Sequence, residues 1–213
     1  MKLLQLNQLG DSVRELVESF NGLPVTDHKD GKYRLRRYST IELRTSFWNA
    51  KEEAVIERLE HRVFNQSEKY NKHQGGMARD FEEIEDSVLQ SEGMKEICLN
   101  FKHAFDLIDG QKIEIHQMRV VTQEDGIAKV SPEGVHQDGF DYIAMVGIGR
   151  FNVHGGELLL YNDQKATPFM NRALKAGEMV AVRDNDLWHN ASPIVAGKEE
   201  NKGHADWFIL CAK

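Results

Sequence analysis

From residue 112 onward the chain is a succession of short apolar runs cut by glycine turns, and this pattern limits the possible folds more than any other feature. The runs "KIEIHQMRVVT", "DYIAMVGIG", "ELLLY", "EMVAVR" and "DWFILCA" are rich in Ile, Val, Leu, Tyr and Phe, and "EDG", "SPEG", "HGG" and "KAG" lie between them. Several short strands at near-regular spacing build a sandwich or a barrel. The first half reads differently. "MKLLQL" is a candidate edge strand. Residues 11–21 begin with Asp and Ser and set Val13, Leu16, Val17 and Phe20 on one helical face. Residues 33–47 read as one or two strands, and "KHQGGMARDFEEI" as a glycine loop. Apolar residues at Ala54, Val55, Leu59, Val63 and Phe64 predict a helix within residues 49–72. Met94, Ile97, Cys98, Phe101 and Phe105 predict another over residues 91–107. The expected class is α+β, with N-terminal helices packed against a C-terminal jelly-roll barrel; an α+β sandwich of other topology is the alternative.

A length of 213 residues with 40% hydrophobic content suits one domain, 1–110 forming a strand and helical buttress and 111–213 the core. The net charge of −7, with no basic block, argues against a nucleic-acid partner. Cys98 and Cys211 each sit in an apolar run, and no C-x-x-C pair exists. That usage, with no signal-like N-terminus and no apolar stretch of about 20 residues, points to a cytoplasmic protein.

The chemistry rests on histidine and aspartate. Two imidazoles and one carboxylate on one face of a metal form the facial triad of non-haem iron(II) oxygenases, whose open positions admit co-substrate and O2 side by side. The local signature is His-x-Asp, whose period of two turns both side chains to one face of a strand. The motif occurs three times, at His28-Lys29-Asp30, His136-Gln137-Asp138 and His204-Ala205-Asp206. The first lies in turn material with no strand directly after it, and the third has no histidine downstream. The second runs into "DYIAMVGIG", and His189 in "DLWHNASPI" follows several strands later. His136, Asp138 and His189 are therefore the candidate iron ligands and catalytic centre. The competing reading is a set of ordinary surface and loop histidines.

The segments "PEGVHQDGFDYIAMVGIGRFNVHGGELLLY" and "LKAGEMVAVRDNDLWHNASPI" resemble the 2-oxoglutarate/iron(II) dioxygenases that include bacterial isoleucine dioxygenase. The resemblance covers roughly residues 110–212, with "YRLRRYS" similar to an earlier family segment. It rests on His-x-Asp-Gly, the Asn-Val-x-Gly-Gly-Glu turn and a distal His followed by Ser-Pro. It implies a double-stranded β-helix, cupin-like and buttressed by helices, with iron(II) on His136, Asp138 and His189 and 2-oxoglutarate and O2 as co-substrates. The implied reaction is hydroxylation of an aliphatic C–H of a free amino acid or similar small zwitterion. The alternatives are a facial-triad oxygenase or oxidative cyclase that does not use 2-oxoglutarate, and a non-catalytic jelly-roll binding module.

One departure stands out. Where the resembling enzymes carry an Arg near the start of the last strand for the distal carboxylate of 2-oxoglutarate, this chain has Ala205. Arg119 is the first replacement expected, with Gln117 on its strand face, and His204 the second. Arg34, Arg36 and Arg37 are the candidate cations for a substrate carboxylate, Arg34 and Arg36 on one strand face and Arg37 on the other. Trp188 is a candidate pocket wall.

Overall fold

The computed structural model describes residues 3–197 and 202–213. Thirteen strands are seen among them: β1 (Leu4–Gln8), β2 (Arg34–Trp48), β3 (Lys51–Arg58), β4 (Gln111–Val121), β5 (Ile127–Ala128), β6 (Tyr142–Phe151), β7 (Val153–Gly155), β8 (Leu158–Tyr161), β9 (Met170–Arg172), β10 (Glu178–Arg183), β11 (Trp188–Ala191), β12 (Ile194–Ala196) and β13 (His204–Ala212). The helices are α1 (Asp11–Arg14), continued by a 3-10 segment Glu15–Phe20, α2 (Asp86–Leu89) and α3 (Glu92–Phe105). A seven-stranded antiparallel sheet runs β1-β10-β6-β13-β4-β2-β3, and two three-stranded sheets, β11-β8-β9 and β5-β12-β7, face it. The whole is a double-stranded β-helix of the jelly-roll type with a helical layer on the back. No helix among the described residues is long and apolar enough to cross a membrane.

The large sheet is buried on both sides, which explains why its strands read as nearly continuous apolar runs. Ile113, Ile115, Ala144, Val146, Phe208 and Leu210 face the helices, packing on Val13, Phe20, Ile97 and Phe101. The alternate residues Met118, Val120, Ile143, Met145, Trp207 and Cys211 face the small sheets and meet Leu158, Leu160 and Ile194. In α3 the Ser91 hydroxyl caps the first turn by accepting the Met94 amide at 3.1 Å.

The helix expected within residues 49–72 does not form. Asn49 and Ala50, with φ of 48° and 62°, make a tight turn between β2 and β3. Positive φ at both central residues is the hairpin geometry that matches strand twist. In β3 Ala54 and Ile56 are buried while Val55 is exposed, a period of two where the spacing of a few apolar residues implied a period near four. Residues 59–85 then form an irregular cover, joined to itself by backbone hydrogen bonds between Phe64 and Arg79 of 2.9 Å each way.

The helical layer should depend on one aromatic contact. Phe208 is fully buried and meets Phe20 edge-on with ring centroids 5.0 Å apart. Phe208→Ala is expected to cost about 3–5 kcal/mol in urea unfolding; a loss below about 1 kcal/mol would mean the layer does not rest on this contact.

Candidate metal centre

The centre is built where the segment before β6 meets β11. His136 and His189 lie directly opposite each other in an isolated antiparallel bridge, each amide donating to the other's carbonyl at 2.9 Å. Their rings sit with centroids 4.2 Å apart. Asp138, two residues on, turns its carboxylate to the same spot, 3.5 Å from His136 Nε2 and 3.3 Å from His189 Nε2. The three residues each offer one ligand atom, all within 4.8 Å of one another. A second bond orients the first imidazole: His136 Nδ1 lies 2.8 Å from the Gly134 carbonyl, so that Nδ1–H donates and Nε2 is turned to the Asp138 carboxylate.

Asp184 holds this loop in shape. Its carboxylate accepts the backbone amides of Asp138 at 3.1 Å, Gly139 at 2.7 Å and Phe140 at 3.1 Å. Its Oδ1 is also 3.6 Å from His189 Nδ1. Gly139 has φ of +85°, and a Cβ there would meet the Tyr70 ring at 2.6 Å, so the His-x-Asp-Gly motif needs its glycine. Burial disfavours a charged His136, yet the carboxylates of Asp138 and Glu133 outweigh it and raise its pKa to about 9. Burial likewise opposes an ionised Asp138, but both imidazoles hold it well below the usual carboxylate range. Such a set, whose carboxylate favours positive charge between the two imidazoles, fits a divalent cation that takes the place of the proton.

A pocket of about 920 Å3, mouth included, opens beside the cluster. One wall is cationic, made by Arg34 and Arg36 of β2 and by Arg79 of the irregular cover. Arg36 Nη2 reaches only Met118 Sδ at 3.1 Å and its guanidinium lies over Phe81, while Arg79 lies over Phe64 and reaches Gln74 and Gln66. None of the three pairs with a carboxylate among the described residues. Burial and the neighbouring guanidiniums pull Arg36 down to about 9 and Arg79 to about 10, both still charged at neutral pH. Glu133 lines the pocket too, its side chain 10% exposed, with Oε1 3.5 Å from His136 Nε2 and Oε2 lacking a partner. Met145, Leu158, Leu174, Trp207 and Ile209 supply the apolar lining. His116 lines the pocket too, packed between Tyr38 and Phe64 with Nδ1 unpartnered. Burial and then Arg36 keep its pKa well below the usual histidine value.

Other expected site residues lie elsewhere. Arg119 and Gln117 face the helices: Arg119 grips Asp206 with two hydrogen bonds of 2.7 and 2.9 Å, and Gln117 donates to Ser19 Oγ at 2.8 Å. His204 shares that outer face, stacked on Phe151 and 3.9 Å from Asp206. The reason is parity: β4 turns His116, Met118 and Val120 inward, so Gln117 and Arg119 turn out. Arg37 also turns out and pairs with Glu82 and Glu85. Trp188 backs away from the pocket because His189, its neighbour on β11, points in; it lines a separate groove with Tyr70 and Gln164. Sequence reading missed Arg79, Glu133 and Gln66, whose Nε2 donates to Asp138 Oδ1 at 2.8 Å. Only Glu133 carried a signal, its position three residues before His136.

The model of a family described as 2OG-Fe dioxygenase matches residues 17–211. No curated protein is significantly similar in sequence. Among solved structures, a bsmA homologue from Methylobium petroleophilum PM1 is 25% identical with a TM-score of 0.76, over 95% of this chain and 81% of its own. IDO from Bacillus thuringiensis is 16% identical with a TM-score of 0.72, over 95% and 86%. The Fe(II)/α-ketoglutarate-dependent dioxygenase TqaL is 15% identical with a TM-score of 0.64, over 95% and 73%. The last two share the fold.

Loss of the Asp184 carboxylate should loosen the loop that carries Asp138. Asp184→Ala is expected to weaken divalent metal binding by about 10–100-fold, read by anaerobic competition with a chromophoric chelator. Wild-type affinity in the variant would remove Asp184 from this role.

Proposed function

The chain belongs to the 2OG-Fe dioxygenase family, and from that premise we propose that His136, Asp138 and His189 hold the iron and that the substrate is a free amino acid or similar small zwitterion. Membership makes the protein a non-haem iron(II) dioxygenase that uses 2-oxoglutarate and O2, and it removes the reading as a non-catalytic module. Bound iron(II) supplies the redox chemistry: 2-oxoglutarate and O2 become succinate and CO2 as one oxygen atom enters a substrate C–H bond. The protein's own groups bind, orient and exclude water. Like the bacterial isoleucine dioxygenases that its motifs resemble, it would hydroxylate an unactivated aliphatic carbon.

One observation carries the substrate class: three guanidiniums without carboxylate partners and one carboxylate, Glu133, with a buried unpartnered oxygen line the same pocket beside the triad. Three like charges held together and partly desolvated favour an anion between them. Arg34, Arg36 and Arg79 would take the substrate carboxylate, by forked hydrogen bonds that a lysine could not copy. Glu133 would take the ammonium. A zwitterion answers both, whereas a simple carboxylic acid would leave Glu133 Oε2 buried and without a partner. The aliphatic side chain would lie along Met145, Leu158 and Ile209. His116, kept neutral, adds no charge. In this reading the chain acts as one domain, since the cationic wall comes from residues before 110 and the triad from residues after it.

The test is a mass-spectrometric screen of free amino acids with iron(II), 2-oxoglutarate, ascorbate and O2. It should yield a product 16 mass units heavier with stoichiometric succinate. Against that substrate, Arg36→Met should raise KM at least about 10-fold, as expected for a lost charge-assisted hydrogen bond. Hydroxylation of uncharged compounds in preference to every amino acid would refute the substrate class.

A further inference from the structure

We propose that Arg150 binds the distal carboxylate of 2-oxoglutarate, in place of the arginine that Ala205 displaces. The inference rests on the reading of His136, Asp138 and His189 as the iron site, and it adds the residue that fixes the other end of the co-substrate.

Arg150 of β6 pairs directly with Ala205 of β13, so the two side chains leave the sheet at one point on one face. Ala205 is fully buried in the inner apolar cluster, which also holds Leu158, Ile194 and Trp207. That face is not the one β6 would ordinarily give Arg150. Ala144, Val146 and Ile148 share its even parity and pack against the helices. Between Asp206 and Trp207 the pairing slips, Asp206 opposing Gly149 and Trp207 opposing Gly147, so β6 carries one extra residue there. This bulge reverses the alternation and turns Arg150 inward. Re-aiming a side chain beside an active site is a recurrent use of bulges.

The guanidinium is also prepared for an anion. Nη2 donates to the Gly155 carbonyl, which fixes its orientation. Nη1 is shielded from bulk solvent and has no hydrogen-bond partner among the described residues. Burial lowers the Arg150 pKa, and Glu157 partly offsets that. Glu157 itself is engaged by the Ser192 hydroxyl, so it does not close off Nη1. Nη1 lies 3.3 Å from where a Cβ on Gly156 would stand, and Trp207 lies 3.5 Å from the same point. Both Gly156 and Trp207 line the pocket. A Cβ at 156 would also meet Ile194 Cγ2 at 2.8 Å, so only glycine fits there, and it puts no side chain between the guanidinium and the pocket-lining Trp207. An arginine at 205 would compete for the same space, and alanine leaves room for Arg150. Because Arg34, Arg36 and Arg79 form a separate wall, substrate and co-substrate each have their own cation.

The experiment is calorimetric and needs no turnover. Wild type and Arg150→Met, both loaded with Ni(II) as a redox-inert stand-in, are titrated with 2-oxoglutarate and with 2-oxobutyrate, which has the same chelating end but no distal carboxylate. In the wild type 2-oxoglutarate should bind the tighter. In Arg150→Met its affinity should fall about 10–100-fold, the range for a lost hydrogen bond to a charged group, while 2-oxobutyrate is unaffected. The double variant Arg150→Met/Ala205→Arg should recover 2-oxoglutarate binding by returning a guanidinium from the neighbouring strand. Unchanged 2-oxoglutarate affinity in Arg150→Met overturns the proposal. Equal weakening of both acids also overturns it, reducing Arg150 to a support for the Gly155 turn. Failure of the wild type to bind Ni(II) stoichiometrically would instead strike the underlying metal reading, and Arg150's role with it.

Discussion

The pair of backbone hydrogen bonds between His136 and His189 is the constraint on which the site depends. It joins the segment before β6 to β11 and brings two imidazoles that are far apart in sequence to within 4.2 Å, centroid to centroid. Asp138 follows because the chain after His136 is clamped by the Asp184 carboxylate through three consecutive amides. Three amides directed at one buried carboxylate leave the loop few alternatives, and the metal-facing atoms are in register before any ion binds.

The large sheet divides labour between its faces. Its outer face is occupied by helices and by the Arg119–Asp206 pair, a buried ion pair with matched hydrogen bonds that orders the junction of β4, β13 and the 3-10 segment. Such a pair is hard to remove one partner at a time, because the survivor would be a bare buried charge. Its inner face carries the pocket. Two arginines close in sequence, Arg34 and Arg37, thus have unrelated surroundings: one faces the cavity, the other the surface carboxylates Glu82 and Glu85.

Much of this was legible in the sequence where period and context agree. The five apolar runs after residue 112 are strands because β-branched residues recur between glycine turns, and His136, Asp138 and His189 were found because one His-x-Asp opens a strand with a histidine after it. Parity also separated Arg34 and Arg36 from Arg37. It could not say which face of β4 looks inward, since that depends on where the helices pack, and so Gln117 and Arg119 were assigned to the wrong side. The hairpin at Asn49-Ala50 was hidden by apolar residues that happened to fit a helical spacing. Residues 59–85 have no period at all, and Gln66 and Arg79 went unseen with them. Arg150 was obscured for another reason: a one-residue bulge reverses alternation, and nothing in a linear pattern of apolar residues reports it.

The central claim is that one iron(II) sits between His136, Asp138 and His189. The direct measurement is an anomalous difference map at the iron edge from crystals grown anaerobically with iron(II). The account predicts a single peak per chain, about 2.0–2.2 Å from both Nε2 atoms and one Asp138 oxygen, by analogy with first-row metals in similar ligand sets. A peak at any other group, or none at saturating iron(II), would contradict it.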